Sequence, residues 1–224
     1  MYTHILLDLD GTIFDFDYAQ KKAFFKTFEF FGIPTDESMF AIYKRINNDM
    51  WRKLEQGIIT REELVLKRFD ELFLMFNIKC NTDRINSYYL KELTANTKLF
   101  PEVLEALKFL CKKYTLAAVT NGAYETQREK LAVTDTGKFF DKVFISEEEG
   151  TQKPDKRFFD KVLAHYESTP KEKFLMVGDS LTADVCGARN ACLDCAWINR
   201  KNSEACEFSP KYIFKDMGEL LEIL

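Results

Sequence analysis

His4-Ile5-Leu6-Leu7-Asp8-Leu9-Asp10-Gly11-Thr12 is the stretch on which the reading of this chain turns. Ile5–Leu7 is a short apolar run of the kind that forms a buried strand, and two aspartates with one leucine between them close it. Residues i and i+2 of a strand face the same way, so both carboxylates project from one strand end. Gly11 then permits a sharp turn. Two crowded like charges have two explanations. One is a capped strand end facing water or a following helix; the other is a cation held between the carboxylates. The stretch alone leaves both open.

At 224 residues the chain is one large domain, or a core with a smaller one inserted, and it can bury a substantial interior. Hydrophobic residues make up 46% and charged residues 30%, a globular composition. The net charge is −4 and no Lys/Arg block stands out, which argues against a nucleic-acid polymer as partner. The apolar run at Ile5–Leu7 is too short for a signal peptide or a membrane span, so a cytoplasmic location and no membrane partner are expected. Six cysteines and only two histidines, His4 and His165, make a zinc site at Cys192-x-x-Cys195 a poor reading. The cysteines are expected as reduced thiols, several of them buried.

After the Asp-Gly turn the pattern becomes helical. Tyr18, Phe24, Phe25, Phe28 and Phe31 recur at helical spacing from Phe14 to about Phe31, and Gly32 and Pro34 stop that helix. A second helix is predicted from Asp36 to Glu55. A third opens with the capping box Thr60-Arg61-Glu62-Glu63 and runs to about Phe76, and a fourth spans Asp83–Leu93. From Leu99 onward strands alternate with helices: Thr115–Val119, Lys142–Ile145, Phe174–Val177, Leu193–Ile198 and a short edge strand at Tyr212–Phe214. The predicted fold is therefore α/β, a doubly wound parallel-sheet, Rossmann-like core. Residues 1–15 and 97–224 form that core, and residues 16–96 form an all-α cap inserted after the first strand.

In a doubly wound sheet, ligands bind beyond the carboxyl ends of the strands. Three strands here end in polar groups: Asp8 and Asp10, Thr120-Asn121-Gly122, and Gly178-Asp179-Ser180, with Asp184 shortly after. A loop adds Lys153. Each has an ordinary reading, Thr120 as a helix cap, Lys153 as a surface lysine and Asp179 as a turn former. Their joint occurrence in this order favours one shared crevice.

Asp8-Leu-Asp10-Gly-Thr12, Thr120-Asn121-Gly122, Lys153-Pro-Asp155 and Gly178-Asp179-Ser180 with Asp184 resemble the four motifs of the haloacid dehalogenase-like (HAD) superfamily. The helical insertion matches that superfamily's cap. The resemblance implies an enzyme that hydrolyses phosphate monoesters through an aspartyl-phosphate. Asp8 would be the nucleophile and Asp10 the general acid and base. Mg²⁺, with Mn²⁺ as its alternative, would sit on the Asp8 carboxylate, the Asp10 backbone carbonyl and Asp179. Lys153 would bring positive charge to Asp8 and the phosphoryl group. Thr120, with backbone around Asn121 and Gly122, would bind phosphoryl oxygens, and Asp184 would orient Lys153 or a metal-bound water.

Asp10 separates the chain from dehalogenases of that superfamily, which lack the second aspartate. Mutases of that superfamily usually place a histidine early in the cap, and no histidine occurs here between His4 and His165. A Schiff-base lysine for phosphonate cleavage is not indicated, although Lys21 and Lys22 are available. Within the cap, Tyr43 to Trp51, Leu54 to Leu64 and Arg68-Phe69 resemble the pyrimidine 5′-nucleotidase branch. The expected substrate is thus a small phosphorylated molecule, a nucleoside monophosphate and above all a pyrimidine one. Phe14, Asn47, Asn48 and Trp51 are the candidate contacts to its leaving group. The alternatives are a sugar-phosphate phosphatase or phosphomutase on the same scaffold, and a catalytically silent protein that binds a phosphorylated ligand.

Overall fold

The structure, a computed structural model, describes residues 1–204 and 209–224. Six parallel strands make one sheet: β1 His4–Leu7, β2 Thr115–Thr120, β3 Lys142–Ile145, β4 Phe174–Gly178, β5 Asp194–Ile198 and β6 Tyr212–Phe214. Their spatial order is β3-β2-β1-β4-β5-β6. Leu7 stands opposite Ala118 on one side and Val177 on the other. Strand order therefore reverses beside β1, and the crevice of such a sheet opens beyond the carboxyl end of that strand.

The strands are apolar throughout because both faces of the sheet are covered. Ile5, Leu7, Ala118, Val177 and Ile198 face one layer, packed with Val103, Leu107 and Leu110 of α5 (Val103–Leu110) and with Met217 and Leu220 of a C-terminal helix, Met217–Leu221. Leu6, Val119, Phe144, Met176 and Trp197 face the other, packed with Phe158, Phe159 and Val162 of the helix Lys156–His165 and with Ala188 of the helix Cys186–Ala191. The alternation of neighbours in the strand, Leu6 against Leu7, assigns each residue its side.

The chain separates into two compact units, Met1–Phe16 with Lys98–Leu224, and Asp17–Thr97. The second holds most of α1 (Phe16–Phe30) and all of α2 (Glu37–Glu55), α3 (Arg61–Phe76) and α4 (Thr82–Ala95). α1 begins at Phe16 rather than Phe14, because Phe14 is taken up in bridges to Asp10 and Leu99. α2 is capped by Asp36, and α3 opens with the Thr60–Glu63 capping box, both halves of it formed. The helical unit has an aromatic interior of its own. Phe24 stacks on Phe28 at 4.2 Å, and Tyr43 stacks on Phe69 at 5.3 Å. Among the described residues no helix is long and apolar enough to cross a membrane.

The described cysteines are free thiols, but only Cys195 is buried; Cys111 and Cys192 are exposed. The expectation of several buried thiols is corrected accordingly, and Cys206 lies outside the described residues. Cys192 ends the helix Cys186–Ala191 in the left-handed region, at φ 57°, which turns it outward before β5 begins.

Candidate active site

Asp8 continues the line of β1, its N–H donating to Val177 O at 2.9 Å, so its carboxylate emerges at the centre of the sheet's carboxyl edge. The chain then folds back: Ile13 and Phe14 N–H both donate to Leu9 O, at 2.9 and 2.8 Å. Gly11 sits in this turn at φ +97°, and a Cβ there would come within 2.3 Å of the Asp179 carboxylate. Glycine is thus required twice over, for the backbone angle and for the approach of Asp179.

Lys153 is 1% exposed, and its ammonium is shared among three acceptors. Nζ donates to Asp8 Oδ1 at 2.7 Å, to Asp184 Oδ1 at 2.6 Å and to Val119 O at 2.8 Å. Burial alone would lower its pKa; the two carboxylates outweigh that and raise it, so it stays charged. The loop carrying it is held from β2's end, where the Asn121 amide donates to Lys153 O at 2.8 Å and accepts from Lys153 N at 2.9 Å. Asp184 lies in a single π-helical turn, Leu181–Val185, of the sort found at functional sites. Its Oδ2 accepts from Ser180 N at 3.0 Å, so both of its oxygens are engaged by the protein.

Asp8, Asp179 and Asp184 offer carboxylate oxygens within 4.8 Å of one another. Burial, then the neighbouring carboxylates, push the Asp8 carboxyl up to about 7 against the pull of Lys153. Burial followed by Asp8 and Asp184 holds Asp179 well above the usual carboxylate range. Among the described residues the Asp179 carboxylate receives one long hydrogen bond, from Thr12 Oγ1 at 3.4 Å, while Trp197 Nε1 fixes its peptide oxygen at 2.8 Å. Among the described residues, these three crowded carboxylates are opposed by the Lys153 ammonium, bonded to two of them, and by the weaker pull of Lys201 on Asp179. An all-oxygen donor set of this kind suits a hard divalent cation. Asp184 is the poorest ligand of the three, since its oxygens are already bonded.

Thr120, Asn121 and Gly122 are brought to the same edge, but each group is spoken for differently. Gly122 N–H turns back onto Thr120 Oγ1 at 3.0 Å, and the Asn121 side chain holds the Lys153 loop. Thr120 Oγ1 accepts there and again from Gln127 Nε2 at 2.6 Å, which leaves its own proton to donate.

The helical unit places the candidate leaving-group contacts unevenly. Asn47 is fully buried, because its amide oxygen accepts from Arg68 Nη1 at 3.0 Å inside the four-helix interior. Phe14 is buried in the core cluster beneath the sheet's edge. These two placements correct the expectation of open contact residues. Asn48 is exposed, and Trp51 is half-buried with the Arg61 guanidinium 5.8 Å from its ring. Tyr43, on the same helix, is likewise spent on that interior.

Three residues at the site lie outside the motifs read from the sequence. Gln127 and Lys130 of α6 (Tyr124–Val133) reach Asp10, donating to its Oδ2 at 3.0 Å and its Oδ1 at 2.7 Å. Arg200 stacks 3.6 Å above Phe100 and ties Thr12 O, at 3.2 Å, to Glu102, at 2.6 Å. A signal exists for the first two. α6 buries Thr126, Gln127 and Lys130 alongside Leu131, so the helix has a polar inner face that only a polar site would accept.

Comparison with known proteins agrees with this geometry. A family model described as haloacid dehalogenase-like hydrolase matches residues 5–198. The chain is 34% identical to YfnB of Bacillus subtilis, described as a HAD-hydrolase, over 100% of this chain and 95% of that one. A crystal structure of YfnB bound to magnesium, described as revealing interdomain movement, aligns with TM-score 0.94 over 100% of this chain and 98% of the other. The pyrimidine 5′-nucleotidase PynA of Streptococcus pneumoniae is also 34% identical, over 100% and 95% of the two chains. A glyceraldehyde 3-phosphate phosphatase of Pyrococcus furiosus is 27% identical over 98% and 92%.

Proposed function

Because this chain belongs to the haloacid dehalogenase-like hydrolases, we propose that it hydrolyses the phosphate monoesters of nucleoside 5′-monophosphates, pyrimidine ones foremost, through an aspartyl-phosphate on Asp8. The observation that carries the chemistry is the setting of Asp8. Lys153 grips its Oδ1, and no donor from the described residues reaches Oδ2. That oxygen is the one free to attack phosphorus, and a carboxylate needs no base to do so. Asp10, two residues on, gives a proton to the departing oxygen and later takes one from the water that cleaves the acyl phosphate. Lys153 keeps Asp8 oriented and opposes the phosphoryl charge, and Thr120 donates its hydroxyl proton to a phosphoryl oxygen. Asp8, Asp179 and the Asp10 backbone carbonyl would hold Mg²⁺, or Mn²⁺, whose charge when bound neutralises phosphoryl oxygens. Asp184 keeps Lys153 in place.

The substrate part of the reading is supported by the full-length similarity to PynA and by Asn48 and Trp51, the two candidate contacts that remain at least partly open. The similarity to the glyceraldehyde 3-phosphate phosphatase favours a second reading, a small sugar phosphate. A comparison of kcat/KM over UMP, dUMP, dTMP, AMP, GMP, glyceraldehyde 3-phosphate and hexose phosphates in Mg²⁺ separates them. Pyrimidine nucleotides are expected to lead, and Asp8→Asn to be inactive on all. A sugar phosphate ahead of every pyrimidine nucleotide overturns the substrate, and turnover by Asp8→Asn overturns the mechanism.

A further inference from the structure

Lys130 is 2% exposed and Gln127 is fully buried, yet neither is part of an apolar layer. Gln127 and Lys130 stand three residues apart and so share one face of α6, the helix that follows Thr120-Asn121-Gly122. Lys130 Nζ donates to Asp10 Oδ1 at 2.7 Å, and Gln127 Nε2 donates to Asp10 Oδ2 at 3.0 Å and to Thr120 Oγ1 at 2.6 Å. A Cβ on Gly122 would come within 2.3 Å of Gln127 Nε2, so that glycine makes the room this amide occupies. The Phe14 and Phe16 rings stand 5.9 and 5.5 Å from the Lys130 ammonium. Burying a lysine is costly unless it is paired, and here the partner is Asp10. The Asp10 side chain itself stays 24% exposed and open to a reacting molecule.

We propose that Lys130 and Gln127 are positioning residues for Asp10, fixing the plane of its carboxylate for proton transfer; this rests on the phosphatase reading above. One donor on each oxygen leaves a lone pair on each for the transferred proton. In the first half-reaction that proton passes from Asp10 to the ester oxygen as its bond to phosphorus breaks and the bond from Asp8 forms. In the second, Asp10 takes a proton from the water whose oxygen bonds to phosphorus as the Asp8–phosphorus bond breaks. Gln127 also links this grip to Thr120, so the proton donor and the phosphoryl-binding hydroxyl share one brace.

The test exploits leaving groups. p-Nitrophenolate departs without a proton, whereas a nucleoside alkoxide needs one. First-turnover release from p-nitrophenyl phosphate and from UMP is measured by rapid quench in Mg²⁺ for wild type and Lys130→Met. The variant is expected to release p-nitrophenolate within about threefold of wild type but UMP's nucleoside about a hundredfold more slowly, the low end of general acid catalysis. Slow dephosphorylation of Asp8 should then leave a burst of p-nitrophenolate stoichiometric with enzyme. An equal loss on both esters, or no loss on either, overturns the inference. Gln127→Met, nearly the same size, is expected to move the ratio in the same direction. It decides the question if Lys130→Met does not fold, and an unchanged ratio there counts against the inference. Failure of the wild type on both esters instead overturns the phosphatase reading and the inference with it.

Discussion

Asp8 and Asp179 are carboxylates whose surroundings resist their charge, and that has a consequence for stability. Burial raises the Asp8 carboxyl from its ordinary 3.8 to about 7, and Asp179 moves the same way. A carboxyl raised in the folded state favours folding when protonated. That contribution is complete below the unfolded value and is lost as pH rises through the folded one. Metal-free protein is therefore expected to lose stability between about pH 4 and about pH 8 through these two groups. Lys153, raised above its ordinary value, stays charged across that window and adds no slope. His4 works in the opposite sense, since burial lowers its pKa, but it does so equally with and without metal. The diagnostic quantity is thus the gain in melting temperature on adding Mg²⁺, expected to be larger at pH 8 than at pH 5. Equal gains at the two pH values would contradict this charge arrangement.

At the scale of elements, the polar interior of the helical unit makes its own claim. Arg68 on α3 donates to Asn47 on α2 and, at 2.7 Å, to Asn86 on α4, and its guanidinium lies 4.9 Å from the Tyr89 ring. One side chain thus joins three helices. Arg68→Ala strands two buried amides and leaves a void, and a loss of roughly 3 kcal/mol is expected from the unpaired acceptors alone. Urea unfolding with an unchanged slope measures it; a loss under about 1 kcal/mol would mean that the amides find other partners. By contrast Thr60→Ala, at the exposed capping box, is worth about 1 kcal/mol. These two contacts also mark what the sequence makes legible. Thr60 and Glu63 are three residues apart and announce a helix start. The strand Ile5–Leu7 with its two aspartates declares itself in the same local way, and the order of the strand-end motifs predicts one crevice. Asn47 and Arg68 lie on different helices, 21 positions apart, so the amide read as a substrate contact is in fact a core acceptor. Lys130 and Asp10 are 120 positions apart, and no local pattern links them. Periodicity reports which face is buried, but it does not name the partner of a buried polar group.

For the molecule as a whole, the cation donors proposed above are a product of folding. Asp8 and the Asp10 carbonyl follow β1, and Asp179 follows β4, which pairs with β1 although it lies far along the chain. An unfolded chain holds these groups far apart and has no site, so magnesium should bind the folded form and stabilise it by mass action. The expected gain is about 2.7 kcal/mol at a free concentration one hundred times Kd, rising with the logarithm of concentration. Asp179→Asn removes one charge from the donor set and should flatten that dependence, while relieving a buried carboxylate and so raising metal-free stability. EDTA should abolish turnover of the phosphate ester, Mg²⁺ or Mn²⁺ should restore it, and Ca²⁺ should restore little, because its larger and looser coordination sphere misplaces the reacting oxygens. Differential scanning calorimetry across a Mg²⁺ series, on wild type and Asp179→Asn, checks the linkage. A melting temperature indifferent to Mg²⁺ in the wild type, or full activity after exhaustive chelation, would remove the cation from the roles given to Asp8 and Asp179.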